Sequence, residues 1–224
     1  DPSDPRFVIM FMKDGTYYEI ETGVPAGQTG ANGFERGFYT WNSVTGNIQI
    51  DTLVDTNGDD GIGDSNDRAG IILTVSGDTL TAIVSPTDTT VLTRVPNDLT
   101  TLTGAWVAGD PTMADSSRVF AFFSDGTFLM AEDNDPAVNG FGGHDGIEGG
   151  TFTLDSNGVL TTTVTVDTNG DWGTSNPTGT THVFLGPDGL TALGGDDTGL
   201  MPVMRVIDPN AVRPAITSAT PVTF

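Results

Sequence analysis

A repeated hexapeptide constrains this chain more than any other feature. Val54-Asp55-Thr56-Asn57-Gly58-Asp59 returns 112 residues later as Val166-Asp167-Thr168-Asn169-Gly170-Asp171. Asp14-Gly15-Thr16 returns as Asp125-Gly126-Thr127, and Gly33-Phe34-Glu35-Arg36-Gly37 as Gly146-Ile147-Glu148-Gly149-Gly150. Arg94-Val95 returns as Arg205-Val206. Four landmarks in one order, at offsets of 111 to 113 residues, mean two copies of one unit. The first copy occupies 1–98 and the second 99–207; a tail, 208–224, has no counterpart between them.

The second copy reads as apolar runs separated by turn signals. Strands are expected at about Leu102–Val107, Arg118–Phe123, Thr127–Glu132, Gly150–Leu154, Val159–Val166, Thr181–Leu185, Leu190–Leu193 and Leu200–Val206. Ser124-Asp125-Gly126, Asp155-Ser156-Asn157-Gly158 and Gly186-Pro187-Asp188-Gly189 are tight-turn sequences. Parallel crossovers need a dozen or more residues, so consecutive strands are antiparallel. Eight such strands in up-and-down order close into a small barrel. The composition agrees. Only Glu19, Glu21, Glu35, Glu132 and Glu148 are glutamates and Lys13 is the only lysine, so the usual helix-surface residues are nearly absent. The expected fold is all-β, with two tandem antiparallel up-and-down β-barrels. The first lacks its opening strand, because Asp1–Pro5 is too short and too polar to form one.

Leu102-Thr103-Gly104-Ala105-Trp106 resembles the opening Gly-x-Trp strand of lipocalins and avidin-like barrels. That resemblance implies that Arg205, on the last strand, lies against Trp106. Gly146-Ile147-Glu148-Gly149-Gly150-Thr151-Phe152-Thr153 followed by Val166-Asp167-Thr168-Asn169-Gly170-Asp171-Trp172-Gly173 is similar to a repeat of uncharacterised proteobacterial surface lipoproteins. This second resemblance implies a surface location and no particular activity.

A formal charge of −22 opposes a nucleic-acid partner and an anionic membrane surface. With no cysteine, disulfides, thiolate metal sites and cysteine nucleophiles are excluded. No apolar run is long enough for a transmembrane helix. The Asp-rich turns suit calcium in an extracellular setting, or else serve solubility alone. Asp55, Asn57 and Asp59 stand at positions one, three and five of an EF-hand-like loop, and Asp60, Asp64 and Asp67 could add oxygens. In the second copy Asp167, Asn169 and Asp171 remain but few further acids come after them, which favours a plain hairpin turn there.

His144 and His182 have neither cysteine partners nor zinc-ligand spacing. Glu35 and Glu148 recur at one place in the repeat. That suggests a structural role, accepting backbone N–H bonds at a bulge or pairing with a buried arginine, for which Arg94 and Arg205 are the natural candidates. Phe7, Phe11, Phe120, Phe122, Phe123, Phe128 and Phe152 read as barrel filling. Phe122 and Phe123 face opposite sides of their strand, so an outer face is covered too, as by packing between the copies.

These features together point to a non-enzymatic structural or adhesive module at a bacterial cell surface or outside the cell. Its partner is another copy or another surface protein, and calcium would rigidify it. The alternative is a lipocalin-like carrier of a small apolar ligand, disfavoured because the aromatic side chains fill the barrel. The missing strand leaves an edge that must be covered. The tail, through Ile216, Val222 and Phe224, could supply a strand to its own chain or to the next; a strand preceding Asp1 is the other possibility.

Overall fold

The computed structural model describes residues 6–23, 32–58, 61–63, 70–86, 88–135, 137, 144–170, 173–174, 180–196 and 199–206. The first copy contributes β1 (Arg6–Phe11), β2 (Thr16–Thr22), β3 (Gly33–Trp41), β4 (Ile48–Asp55), β5 (Ile72–Ser76), β6 (Thr79–Ser85) and β7 (Asp88–Thr93). The second contributes β8 (Gly104–Gly109), β9 (Ser117–Phe122), β10 (Thr127–Asp133), β11 (Gly146–Leu154), β12 (Leu160–Asp167), β13 (His182–Leu185), β14 (Thr191–Asp196) and β15 (Gly199–Arg205). Every pairing among them is antiparallel.

The second copy forms one eight-stranded sheet in the order β12-β11-β10-β9-β8-β15-β14-β13, a half-barrel. Its two outer strands approach at one end, where Val159 bridges His182 and the Leu160 N–H donates to Thr181 O at 2.9 Å. The first copy is built differently from the single barrel its repeat suggests. Its strands form a four-stranded sheet, β1-β2-β3-β4, and a three-stranded sheet, β5-β6-β7. A bridge between Asn47 and Ile72 and a 2.8 Å bond from the Leu73 N–H to Gly46 O join them. β8 has no counterpart here, so β1 and β7 are edges among the described residues.

The repeated glycines mark a repeated bulge. In β3 and β4 the register shifts between Arg36 and Gly37; in β11 and β12 it shifts between Gly149 and Gly150. A Cβ on Gly37 would collide with Asp51 O, and one on Gly150 with Thr163 O. Only glycine lets the partner strand come this close. The extra residue reverses the facing of the side chains beyond it. Val164 therefore packs in the half-barrel core while Val166 packs outside it. β11 also starts at Gly146 rather than near Gly150 as expected, because these glycines serve close strand packing and not a loop.

Three cores result. Tyr17, Ile48, Ile62, Ile71, Leu73 and Ala82 fill the first copy, with Phe7 and Phe11 against them. Trp106, Phe122, Phe128, Met130 and Leu160 fill the second, with Phe120 and Phe152. The third core joins the copies: Val8, Met10, Tyr18, Ile20 and Phe34 meet Val107, Val119, Ala121, Leu129, Ala131 and Ile147. Phe123 packs on this third core and not in the barrel interior, as the alternation along its strand requires.

Candidate functional site

The hexapeptide loops fold the same way in both copies. The Thr56 hydroxyl accepts from the Phe34 N–H at 2.8 Å, and the Thr56 N–H donates to Phe34 O at 2.9 Å. Thr168 makes the matching pair with Ile147, both at 2.9 Å. Asp55 is exposed, and its Oδ1 accepts from the Gly58 N–H three residues on, at 3.1 Å, which caps the turn. Gly58 and Gly170 take the positive φ, 83° and 79°, that the turn needs. Asn57 and Asn169 are fully buried, whereas Asp167 is exposed. In each loop the first and third side chains thus point to opposite environments. Asp59, Asp60, Asp64, Asp67 and Asp171 lie outside the described residues.

The buried Asn169 lies beside acids of the second copy. Asn169 Nδ2 donates to Glu132 Oε2 at 3.3 Å, and Arg118 Nε bonds the other oxygen of Glu132 at 2.6 Å. Burial raises the Glu132 carboxyl above its usual range, against the pull of Arg118. Glu148 Oε2 accepts from the Thr174 N–H at 2.8 Å and from its hydroxyl at 2.5 Å. In the first copy Glu19 and Glu35 are cross-strand partners, both fully buried. Glu19 Oε2 accepts from the Ile62 N–H, and Glu35 Oε2 from the Gly63 N–H, each at 2.9 Å. The Tyr17 hydroxyl donates to Glu35 at 3.3 Å, and burial holds its pKa far above the usual phenol value. Glu19, Glu35 and Glu148 pin the segment beyond each hexapeptide by accepting its backbone amides. That is chemistry of loop closure.

The arginine expectations need correction. Arg94 is exposed and pairs with Asp78 at 3.3 Å, so it does not meet Glu35. It follows β7, which lies at the edge of a different sheet from the β2–β3 pair that carries the glutamates. Arg205 does not meet Glu148 either. Its guanidinium carbon stands 4.1 Å from the Trp106 ring centroid, and the two residues are register partners across β15 and β8. It donates to Gly189 O at 2.7 Å, Thr103 O at 2.5 Å, Asp98 O at 3.0 Å and Thr101 O at 2.7 Å. His144 is exposed, and His182 stacks on Phe184. Ile216, Val222 and Phe224 lie outside the described residues.

One polar cluster is not evident from the sequence. Asp115 precedes β9, Asp133 ends β10 and Asp145 precedes β11. One carboxylate oxygen from each lies within 4.8 Å of those of the other two. Asp133 is 1% exposed; Asp115 and Asp145 are partly exposed. Arg36 reaches across from the first copy and ion-pairs with Asp133 Oδ2, while also donating to Pro111 O at 3.0 Å and Met113 O at 3.3 Å. Asp133 Oδ2 also accepts from the Asp115 N–H at 3.0 Å, and Asp145 Oδ1 accepts from the Asn134 N–H at 2.9 Å. Asp133 Oδ1 is buried with no hydrogen-bond partner. Burial pushes the Asp133 carboxyl up to about 6; Arg36 opposes this and the neighbouring Asp145 and Asp115 add to it.

The signal for this cluster is a paired departure from the repeat. Arg36 stands where the second copy has Gly149, and Asp133 where the first has Thr22. The structure sets Arg36 against Asp133 and Gly149 beside Thr22, so the copies meet in a nearly two-fold arrangement with the ion pair on one side only.

Along β12 an open groove of about 830 Å³ is lined by Leu160, Thr162, Val164, Thr165, Thr174 and Thr181 among the described residues. Its walls are mostly threonine. Comparison of the chain with protein-family models, with curated proteins and with solved structures gave no match.

Proposed function

We propose that this protein is a non-enzymatic structural or adhesive subunit of a bacterial surface or extracellular assembly, joined to its neighbours by strand addition. One observation carries the reading. β8 lies between β9 and β15, and their counterparts β1 and β7 have no strand between them among the described residues. The first copy thus offers a place for one antiparallel strand, over a core that already holds Phe7, Ile9 and Phe11. Ala215–Thr220, with Ile216 and then Val222 and Phe224, has the composition of a donor strand. Donation from chain to chain is head-to-tail and does not close, which makes a fibre. The core between the copies suits a subunit that transmits load, because it fixes one copy against the other.

The test is the size distribution of the purified full chain against a variant ending at Arg213, by light scattering and electron microscopy. The full chain should assemble with rising concentration, and the shortened chain should stay monomeric. A synthetic peptide of residues 213–224 should bind the shortened chain and block assembly of the full one. A full chain that stays monomeric at high concentration overturns the proposal. An apolar carrier would instead bind one equivalent of an apolar fluorescent probe in its monomeric form. The filled cores and the threonine-lined groove give that reading less support.

A further inference from the structure

We infer that Asp115, Asp133 and Asp145 form a calcium site that locks the two copies together. Calcium takes oxygens at about 2.4 Å, so two ligands on one ion stand no more than about 4.8 Å apart. The three carboxylates already satisfy that limit. They come from three separate segments of the second copy, so an ion there would tie the chain before β9 to both ends of the β10–β11 connection.

The independent observation is Asp133 Oδ1. It is buried, it accepts no hydrogen bond, and it belongs to a side chain only 1% exposed. A buried carboxylate oxygen without a partner is costly, and burial of this kind is rare unless a cation or water completes it. Arg36 compensates one of the three negative charges, through the other oxygen of Asp133. A divalent cation would add positive charge beside Asp115 and Asp145. Partly exposed Asp115 and Asp145 leave the ion a path from solvent. An all-carboxylate set selects a hard cation over zinc or copper. Because Arg36 comes from β3 of the first copy, an ion held on Asp133 also fixes the ion pair between the copies.

The turn loops and this cluster make different predictions for calcium, and the experiment separates them. The full chain is freed of metal, then titrated with calcium chloride at pH 7.5 by calorimetry, and its melting is followed by circular dichroism. Calcium at a hundredfold excess over its Kd should raise the melting temperature by about 5 °C. Asp115→Asn/Asp145→Asn keeps the Arg36–Asp133 pair and should lose the shift, with affinity reduced at least about tenfold. Asp55→Asn/Asp167→Asn should keep both. Should the first double variant fail to fold, Asp145→Asn alone should lower the affinity. No binding by the wild type overturns the inference, as does a shift that survives Asp115→Asn/Asp145→Asn. A shift abolished by Asp55→Asn/Asp167→Asn overturns it too, by placing the ion in the turn loops. The assembly experiment reads a different property, so either reading can fail alone.

Discussion

Trp106→Ala tests whether the half-barrel depends on one residue pair. The indole is 1% exposed, its N–H donates to Leu102 O at 2.8 Å, and the Arg205 guanidinium lies over its face. Truncating a buried tryptophan costs about 3–5 kcal/mol. Here the upper end is expected, because Leu102 O loses its donor and Arg205 loses a cation–π contact of about 0.5–2 kcal/mol. Trp106→Phe keeps a ring under the guanidinium and should cost only about 1–2 kcal/mol. Arg205→Lys keeps the charge but not the planar fork that reaches four carbonyls, and should cost about 3 kcal/mol. The assay is urea denaturation followed by far-ultraviolet circular dichroism, which does not depend on the tryptophan removed. The double variant Trp106→Ala/Arg205→Lys should show a coupling of at least about 0.5 kcal/mol. A cost for Trp106→Ala below about 1 kcal/mol, or no coupling, would refute the reasoning.

The same contacts have other consequences. Gly37→Ala and Gly150→Ala put a Cβ into partner-strand backbone and should each cost about 3 kcal/mol, while Gly58→Ala, with open space but a positive φ, should cost about 1 kcal/mol; similar values in denaturation curves would contradict the bulge account. Arg36→Ala leaves Asp133 uncompensated between the copies and should cost about 3–5 kcal/mol in metal-free buffer, most of it recovered in Arg36→Ala/Asp133→Ala; a double variant no better than the single one would contradict this. Burial raises the pKa of Tyr17, Tyr18 and Tyr39 in the folded chain, so the unfolded chain loses their protons first as pH climbs past about 10. Stability should therefore fall above that pH. Tyrosinate absorbance should appear together with unfolding, and a smooth titration near 10 with the sheet signal intact would count against the burial described.

Much of the fold is legible in the residues alone. Strand order in the second copy comes from turn sequences such as Asp155-Ser156-Asn157-Gly158, because a short turn forces its two strands to pair. The Trp106–Arg205 contact is implied by a family resemblance, and the register of β8 on β15 supplies its geometry. The roles inside the hexapeptide are not legible. Asp, Thr, Asn and Gly suit a cation loop and a capped turn equally well, and only the path of the chain sends Asn57 and Asn169 inward and Asp55 and Asp167 outward. The repeat points Arg94 and Arg205 to the wrong partners, because position in a repeat does not say which face of a sheet a side chain takes.

Local chemistry works over a few residues, and the sequence by itself determined what depends on it: strands, tight turns and the two copies. Tertiary structure alone decided what depends on one copy meeting the other. The third core, the pairing of Arg36 with Asp133, and the convergence of Asp115, Asp133 and Asp145 join residues distant along the chain. The alternation at Phe122-Phe123 announces that an outer face is covered, but no local periodicity says which residues of the other copy cover it. The physical reason is that an outer sheet face becomes a core only when a second face covers it, and a repeat does not encode how its copies pack.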